Sequence, residues 1–352
     1  MEQRSHEREV RTVDPAWNLS ELMARIAKAL VSDGPALALT AIEATTVPSK
    51  TALVVTTTGS SGIPKQIGLS ASALLTSARA SNAFLGAEFG STWSLLLPLN
   101  HIAGINVLIR SLELGTTPTN LLSYEGKFPK VDYTAIVPTQ LYRALNGDEN
   151  LLHHLQSAKA VLVGGAALTH QLRTAATEAG INVIETYGST ETSGGCIYDG
   201  VPLEGVEIAI GDQGRIAIKG KVIAHELVSE DGWYYTSDAG RIENGKLIVE
   251  GRIDDIVITG GENVSLTSIE RVIAQTFPEI QSAAFAVAHP EWGQAIHIAL
   301  VGADSSFEER IQETLAREIN SAAKAKGFLH LQEFPLIGIG KVDKKALGGL
   351  LS

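Results

Sequence analysis

The fold of this chain is decided by one polar stretch, Thr57-Thr58-Gly59-Ser60-Ser61-Gly62-Ile63-Pro64-Lys65. It lies directly after the apolar run 51–55 and before a helical pattern near 70–86. Its glycines let the backbone approach an oxyanion closely, its four hydroxyls can donate hydrogen bonds, and Lys65 adds positive charge. The stretch therefore predicts a polyphosphate-binding loop, with a flexible polar loop as the alternative. It is not a Walker A loop, because only two residues separate Gly59 from Gly62 and a proline precedes Lys65.

Outward from this stretch, the region 51–191 alternates short apolar runs with helical patterns. Such alternation predicts a largely parallel sheet covered by helices, and ligands usually bind at the carboxyl ends of its strands. The predicted strands are 51–55, 93–97, 135–137, 160–163 and 182–185, and the predicted helices lie near 70–86, 103–114, 139–146 and 169–179.

The predicted pattern of strands and helices changes twice after Tyr198. Short alternating strands at 206–210, 215–219 and 246–250 predict a β-rich subdomain. From about Arg252 a new α+β pattern begins, and we therefore predict a domain boundary at 251–254. The elements predicted beyond it are a helix near 266–276, strands at 282–288 and 296–301, and a helix near 306–325.

Composition excludes several classes of protein. The chain has 352 residues, of which 44% are hydrophobic and 19% charged, as in ordinary globular proteins. A net charge of -11 without any basic run argues against a nucleic-acid-binding surface. The single cysteine, Cys196, rules out an internal disulfide and favours a reducing, cytoplasmic compartment. Residues 1–14 are charged and no apolar run approaches a membrane span, so we expect no signal peptide and no membrane span.

Two further motifs close predicted strands. In 185–192, Tyr187 could stack on a flat base, Thr190 could donate to a phosphate, and Glu191 could hold a hard cation such as Mg²⁺ through oxygen. Ahead of it, Gly164-Gly165-Ala166 is small enough to admit a planar ring, with a tight structural turn as the alternative.

The last two motifs lie near the predicted boundary and near the C-terminus. Asp238, in the turn 236–238, can accept both hydroxyls of a ribose, and Arg252 can reach the same sugar or a phosphate. A surface hairpin with solvated charges is the alternative. Lys341 follows Gly338 and Gly340, and a lone lysine in such a place is usually an exposed surface residue.

Together these five segments resemble the adenylate-forming, or AMP-binding, superfamily of acyl-CoA synthetases, peptide-synthetase adenylation domains and luciferases. The resemblance implies an ATP-dependent acyl-CoA ligase, with ATP, Mg²⁺ and coenzyme A as cofactor and co-substrates. It assigns the nucleotide to Thr57, Thr58, Gly59, Ser60, Ser61, Gly62, Lys65, Gly164, Gly165, Ala166, Tyr187, Gly188, Asp238 and Arg252.

The resemblance also implies catalytic roles and a domain organisation. Thr190 meets the phosphate, Glu191 binds Mg²⁺, Lys341 is the catalytic lysine of adenylation, and Asp254 is the hinge residue. The fold class is α/β: an N-terminal domain over 1–250 with a mainly parallel helix-covered sheet and a β-rich subdomain, then a hinge at 251–254. A small mobile α+β domain over 255–352 completes the chain.

The substrate acid is indicated by two segments, 97–104 and 193–206. Both resemble the short actinobacterial 2-succinylbenzoate–CoA ligases of menaquinone biosynthesis, and by that resemblance His101 and Ser189 border the acyl pocket. A histidine that caps a helix is the alternative for His101. Arg79 and Arg110 are candidate counter-charges for a second substrate carboxylate, but no spacing argument selects either.

Several alternatives stay open at the level of sequence. They are a ligase for another small aromatic or short-chain acid, an adenylation enzyme that loads a carrier protein, and a non-catalytic nucleotide sensor. The expected partners are a small carboxylic acid, ATP and coenzyme A. The sequence does not fix the oligomeric state, for which a homodimer is the assembly considered.

Overall fold

The computed structural model describes residues 7–58, 64–337 and 341–351. The chain forms two compact units, and the first comprises Met1–Leu168, Leu172–Ala209 and Ala217–Tyr234. The second comprises Thr169–Gln171, Ile210–Ile216 and Tyr235–Ser352. Among the helices of these ranges, none has the length and apolar character needed to cross a bilayer. The boundary predicted at 251–254 stays a prediction, because compactness alone does not locate a pivot.

The first unit begins with a five-stranded sheet in the order β3-β1-β2-β4-β5. Its strands are β1 (Glu7–Thr12), β2 (Ala36–Ala38), β3 (Thr46–Pro48), β4 (Thr51–Thr58) and β5 (Pro64–Ser70). β2 and β4 are parallel, whereas β5 returns antiparallel to β4 with Pro64 opposite Thr58. In β5 the alternate residues Ile67 and Leu69 are buried, which gives the strand one face on the core.

This hairpin corrects two predictions. The polar stretch was expected to lead into a helix, but the seven-residue strand β5 comes between it and the next helix. The run 51–55 was also expected to join the parallel sheet of the following strands, and β4 instead belongs to the first sheet. β5 was overlooked because its alternation is short and begins with Pro64-Lys65-Gln66, which reads as loop.

The second sheet has seven strands in the order β12-β11-β10-β9-β8-β6-β7. β7, β6, β8, β9 and β10 are mutually parallel, which confirms the predicted mainly parallel sheet, and β11 runs antiparallel to β10. Its strands are β6 (Trp93–Leu95), β7 (Thr119–Asn120), β8 (Tyr133–Ile136), β9 (Ala160–Val163), β10 (Val183–Ser189), β11 (Gly194–Tyr198) and β12 (Val201–Pro202). Every residue of β8 and β9 is buried, as expected for strands covered on both faces.

Helices cover these strands. They are α1 (Leu19–Leu30), α2 (Ala71–Phe84), α3 (Ile102–Glu113), α4 (Pro138–Leu145), α5 (Glu149–Ser157) and α6 (His170–Glu178). Leu141 of α4, Leu155 of α5 and Ala176 of α6 pack in one core with Ile136 and Val161 of the sheet. α5 was not predicted, although Asp148 is a clear N-cap whose side chain accepts from the Leu151 N–H at 3.0 Å.

The β-rich region forms a four-stranded sheet in the order β13-β14-β15-β16. Its strands are β13 (Val206–Ile210), β14 (Arg215–Gly220), β15 (Tyr234–Glu243) and β16 (Lys246–Arg252). The division between the two units falls within this region of the sequence. The predicted strands at 206–210, 215–219 and 246–250 are confirmed, and β15 is the strand that the sequence did not predict.

The rest of the second unit is built on one sheet that has an apolar cluster on each face. Its sheet contains β17 (Ile256–Thr259), β18 (Glu262–Ser265), β19 (Gln281–His289), β20 (Gly293–Val301) and β21 (Gly327–Leu331), and a hairpin follows from β22 (Leu336–Ile337) and β23 (Lys341–Val342). The helices are α7 (Leu266–Thr276), α8 (Ser306–Glu318) and α9 (Lys344–Gly349). α7 has the predicted bounds, whereas α8 ends at Glu318 rather than near 325, because a separate 3-10 turn, Ser321–Ala323, follows it.

Candidate active site

The two described ends of the polar stretch face each other across the β4–β5 hairpin. Thr57 lies opposite Lys65, and its hydroxyl donates to the Lys65 carbonyl at 3.4 Å. The Lys65 side chain is exposed and forms no ion pair with any described residue. Gly59, Ser60, Ser61 and Gly62 lie outside the described residues, as does the side chain of Thr58. Their roles stay predictions.

The carboxyl ends of β9 and β10 lie side by side, as the parallel arrangement requires. The Thr186 hydroxyl donates to the Val163 carbonyl at 3.3 Å and occupies the space beside Gly164, where a Cβ would meet it at 2.3 Å. Gly165 has a φ of +82°, a conformation that favours glycine. The local backbone therefore requires glycine at both positions, which supports the tight-turn alternative. A role for Gly164–Ala166 beside a base is compatible with this requirement.

The motif around Tyr187 is part of a strand rather than a turn. β10 continues to Ser189 and pairs with β11, with a bulge between Tyr187 and Gly188. Gly188 has a φ of +157°, and a Cβ there would lie 2.2 Å from the Gly194 carbonyl oxygen. The bulge redirects the chain before Thr190. Tyr187 is half-buried, whereas Gly188 and Ser189 are exposed.

Thr190 and Glu191 begin a 3-10 turn, Thr190–Thr192, that hydrogen bonds fix in place. The Thr192 hydroxyl accepts from the Ser189 N–H at 2.8 Å. The Glu191 carbonyl accepts from the Ala224 N–H at 2.8 Å, and β5 packs beside the turn. The structure thus brings the predicted phosphate and metal residues next to the hairpin that carries Lys65.

The residue after the turn, Ser193, is a buried hub. Its φ is +54°, and its carbonyl accepts from the Ser77 hydroxyl at 3.0 Å and from the Asn106 amide at 2.9 Å. Its own hydroxyl donates to the Val222 carbonyl at 2.7 Å. A left-handed serine is strained unless its surroundings hold it, so these bonds fix where the preceding Glu191 lies.

An ion-pair network lies beside the first half of β10. Arg173 Nη2 lies 2.8 Å from Asp199 Oδ1, and Arg173 Nη1 lies 3.7 Å from a Glu185 carboxylate oxygen. The Glu185 N–H donates to Asp199 at 3.0 Å. Burial raises the pKa of Glu185, and the nearby Arg173 opposes that shift. Sequence reasoning missed this network, because its members come from separate elements that meet only in the fold.

In the second unit, Asp238 and Arg252 lie directly opposite each other on β15 and β16. Opposed residues share one face of a sheet, so both side chains can approach one sugar. They lie on strands rather than in the predicted turn, and the Thr236 hydroxyl accepts from the Asp238 N–H at 3.1 Å. Arg252 is exposed and Asp238 is half-buried.

The two remaining predicted residues of the second unit are described only through their backbones. Lys341 lies on β23 opposite Ile337, and Asp254 lies in the 3-10 turn Ile253–Asp255. Their side chains lie outside the description. The catalytic and hinge roles stay predictions.

Sequence comparison decides the family. The family described as AMP-binding enzyme matches residues 2–225, which is well over half of the chain. The chain belongs to this family. The resemblance of the five motifs is thereby confirmed at the level of the family, while the role of each residue is not tested by the match.

Relatives of this AMP-binding enzyme share a name. One from Mycobacterium tuberculosis, "Probable 2-succinylbenzoate--CoA ligase", is 37% identical over 323 residues, covering 84% of this chain and 83% of the relative. The structure of wild-type E. coli MenE with a bound analogue of OSB-AMS covers 96% of this chain and 81% of its own, with TM-score 0.69 and 25% identity. Bacillus subtilis MenE in complex with ATP and a magnesium ion covers 96% and 83%, with TM-score 0.70; at 20% identity it supports the fold alone.

The residues of this AMP-binding enzyme suit a magnesium ion shared with substrate. Among the described residues no three His, Cys, Asp or Glu side chains cluster as a metal site. The half-buried Glu191 carboxylate has no hydrogen bond or ion pair with any of them. Mg²⁺ is commonly bound by one or two carboxylates together with substrate phosphates, so a single free carboxylate beside the predicted phosphate-binding stretch fits it.

His101 is the N-cap residue of α3, the position that the helix-capping alternative expected. Its side chain makes no capping hydrogen bond, so only its backbone caps the helix. The next residue, Ile102, lies 4.0 Å from the position of a Cβ on Gly194, beside the Ser193 hub. The N-terminal end of α3, which His101 precedes, therefore lies near the strand that follows the Thr190–Thr192 turn.

The structure separates the two candidate counter-charges. Arg79 is exposed and forms a short ion pair with Glu113, so its charge already has a partner. Arg110 is only 4% exposed, and no carboxylate of a described residue lies within 4.0 Å of it. Its guanidinium stacks 5.1 Å from the Trp93 ring, and its Nε is buried without a hydrogen-bond partner among the described residues.

Sequence reasoning missed the side chains around Arg110. Its Nη2 donates to the Tyr198 hydroxyl at 3.1 Å, which lies 2.8 Å from the Ser81 hydroxyl. A signal was present, because Asn106 and Arg110 are polar residues four apart on a mostly apolar helix and therefore share one face. Nearby on β11, burial raises the pKa of the Cys196 thiol to about 12, so this thiol stays protonated and is not a competing nucleophile.

Proposed function

We propose that this protein is an ATP-dependent 2-succinylbenzoate–CoA ligase. In the first half-reaction the substrate carboxylate attacks the α-phosphorus of ATP, and the bond to the β-phosphate breaks as diphosphate leaves. In the second, the thiol of coenzyme A attacks the acyl-adenylate, loses its proton, and releases AMP. Membership of the AMP-binding family and the names of relatives that cover most of this chain support the proposal.

The observation that carries the choice of acid is the buried, unpaired charge of Arg110. Removing a guanidinium from water costs several kcal/mol, and an opposite charge normally compensates. No described carboxylate does so here, which supports an anionic ligand as the partner. The reacting carboxylate must reach ATP, so a second carboxylate on the acid is the simplest counter-charge. A benzoate or a short fatty acid lacks one.

We assign roles in adenylation to the residues that the family motif matches. The Thr57–Lys65 stretch binds the phosphates, the Thr190 hydroxyl donates to the α-phosphate, and the Glu191 carboxylate holds Mg²⁺. The metal, when bound, withdraws electron density from the phosphate oxygens and neutralises developing charge. Lys341 supplies a second positive charge at the two oxyanions of the transition state, where fixed charge lowers the barrier most. Gly164–Ala166 lines the adenine.

The remaining nucleotide and pocket contacts complete this assignment. Tyr187 and Gly188 pack on the base, and Asp238 and Arg252 hold the ribose. Ser189 and His101 border the acyl group. Because the same groups bind AMP in both half-reactions, their loss should weaken both steps.

The second half-reaction requires Lys341 to leave and a path for the thiol to open. We propose that Asp254 is the pivot for this exchange, with the domain over 255–352 moving as one body. A hinge of a few residues at an element end can absorb such a change in backbone angles. The short 3-10 turn at Ile253–Asp255 is an element end of this kind.

We place the enzyme in the cytoplasm, where ATP and coenzyme A are supplied and a free cysteine stays reduced. The homodimer stays a prediction. Light scattering of the purified protein across a range of concentrations would test it.

The experiment that tests the function measures diphosphate release and acyl-CoA formation with a panel of acids. We expect kcat/KM for 2-succinylbenzoate to exceed that for benzoate by at least roughly a hundredfold, because a site built for a polar group leaves its partners unpaired when the group is absent. Equal kcat/KM values for the two acids would contradict the assignment of 2-succinylbenzoate as the substrate, but not the assignment as an acyl-CoA ligase. Thioester formation on a carrier protein but not on free coenzyme A would favour the carrier-loading alternative. Absence of diphosphate release with every acid would favour the sensor.

A further inference from the structure

We propose that Tyr198 is a positioning residue that sets the acid specificity by holding the Arg110 guanidinium in place for the second carboxylate. The inference rests on the proposed function and deepens it. Tyr198 is the last residue of β11 and is fully buried, with 0% of its surface exposed. It lies in the segment 193–206 that indicated the acid, but none of the roles assigned above belongs to it.

The direction of the hydrogen bonds around Tyr198 follows from chemistry. A guanidinium can only donate, so at 3.1 Å the phenol oxygen accepts from Arg110 Nη2. The Tyr198 hydroxyl also shares a hydrogen bond of 2.8 Å with the Ser81 hydroxyl, in which either oxygen can be the donor. Arg110, Tyr198 and Ser81 thus form a hydrogen-bonded relay in which Tyr198 accepts from Arg110 and is itself held by Ser81.

The packing around the relay fixes Tyr198 itself. The ring of Phe84 on α2 meets the Tyr198 ring edge-on, with centroids 5.2 Å apart and planes at 79°. The guanidinium lies against Trp93 and is bonded to the phenol, while its Nε has no described partner. One edge of the guanidinium is therefore anchored to the protein, and a donor remains for a ligand.

This arrangement acts selectively on substrates. Arginine has many rotamers, and a ligand that had to order them would bind more weakly. The anchored guanidinium is pre-organised, and only an acid with a second carboxylate can bind more tightly because of it. Tyr198 should therefore matter for 2-succinylbenzoate and not for a monocarboxylic acid.

The test compares Tyr198→Phe with wild type for 2-succinylbenzoate and for benzoate. The substitution keeps the ring and its contact with Phe84 and removes only the hydroxyl. We expect kcat/KM for 2-succinylbenzoate to fall about ten- to a hundredfold, the effect of one hydrogen bond to a charged group. The loss should be in KM, with kcat nearly unchanged, because the contact exists before and during reaction. The value for benzoate should stay close to that of wild type.

Tyr133→Phe is the matched control. Tyr133 is also buried, its hydroxyl donates to the Leu85 carbonyl at 3.2 Å, and its ring lies 5.3 Å from the same Trp93. It should lower stability without changing the ratio of the two kcat/KM values. Ser81→Ala provides a second variant, in case Tyr198→Phe folds poorly, and should change the ratio in the same direction by less.

The outcomes separate the inference from the proposed function. A selective loss in Tyr198→Phe or Ser81→Ala, absent from Tyr133→Phe, supports a positioning role. An unchanged ratio, an equal loss for both acids, or the same change in Tyr133→Phe would overturn it and leave Tyr198 as a packing residue. A wild-type ratio near one would instead overturn the assignment of the acid, whatever the variants do.

Discussion

Arg110→Met is the most informative single perturbation, because the structure predicts opposite effects on stability and on activity. In the free enzyme the substitution removes a hydrogen bond to Tyr198, worth about 1.5–3 kcal/mol, and a stack on Trp93, worth about 0.5–2 kcal/mol. It also removes the cost of a buried charge without a counter-ion, which amounts to several kcal/mol. The Tyr198 hydroxyl keeps Ser81 as a partner, so no new unpaired group is created there.

In the absence of substrate, the sum of these terms should make the Arg110→Met variant more stable than wild type. Replacing buried charges by apolar side chains is often neutral or stabilising by about 1–4 kcal/mol. We expect about 1–2 kcal/mol here, which raises the melting temperature of a domain of this size by roughly 2–8 °C. Thermal unfolding of the ligand-free protein, followed by circular dichroism, measures the effect.

Activity should change in the other direction. Losing one partner of a buried charge pair costs about 2–5 kcal/mol, so kcat/KM for 2-succinylbenzoate should fall roughly 30- to 5,000-fold. Benzoate turnover should change little. The matched control is Arg79→Met, since Arg79 is exposed and paired with Glu113, and surface pairs contribute about 0–1 kcal/mol. A lower melting temperature together with an unchanged acid preference would refute the reasoning, because Arg110 would then be a structural residue.

Three further perturbations test other parts of the site and the fold. Lys341→Ala should slow diphosphate release by about 10²–10³ and spare thioester formation from pre-formed acyl-adenylate, as the two rates measured separately will show. Burial lowers the pKa of His154, so wild type should lose stability as the pH falls through about 6.5, where the unfolded chain binds a proton that the folded chain does not. Urea unfolding of His154→Gln should show less of this loss. Gly194→Ala should cost about 1–3 kcal/mol, because φ is +97° and a Cβ would lie 2.1 Å from the Asn106 amide nitrogen.

Each of these perturbations has a control variant elsewhere in the chain. Lys345→Ala removes an exposed lysine next to the same hairpin and should leave both half-reactions intact. His330 is hydrogen-bonded to Glu308, which raises the pKa of His330, so protonated His330 stabilises the fold below that pKa. His330→Gln removes this contribution and should therefore make the loss of stability at acidic pH steeper. Gly205→Ala has a φ of +77° and open space around it, so it isolates backbone strain from the clash. Identical results for a variant and its control would contradict the corresponding prediction.

Much of the fold could be predicted from the sequence because its elements are periodic. The strand Ala160–Val163 and the helix Leu266–Thr276 have the predicted bounds, since an unbroken apolar run and a 3.6-residue pattern are strong local signals. β5 and α5 were missed. Their identity depends on pairing with β4 and on a short capped turn, and neither gives a long periodic signal.

The candidate site divides in the same way. Motifs near strand ends could be found from their residue types and their order, because the residues of each motif are consecutive in the sequence. The relay of Ser81, Arg110 and Tyr198 could not, since it joins α2, α3 and β11 across more than a hundred residues of chain. The same is true of the Ser193 carbonyl, whose two donors come from two different helices.

The hairpin that follows Thr57 has an electrostatic consequence. A phosphate loop that opens directly into a helix places bound anions at the positive end of the helix dipole. Here the seven residues of β5 put the start of α2 roughly 23 Å along the strand, too far for that dipole to act. With the phosphate-binding role proposed for this stretch, the charge of the triphosphate would be balanced by exposed Lys65 and by the divalent cation. Exposed ions are screened within about 8 Å at physiological ionic strength, so nucleotide affinity in this enzyme should fall steeply as salt is added.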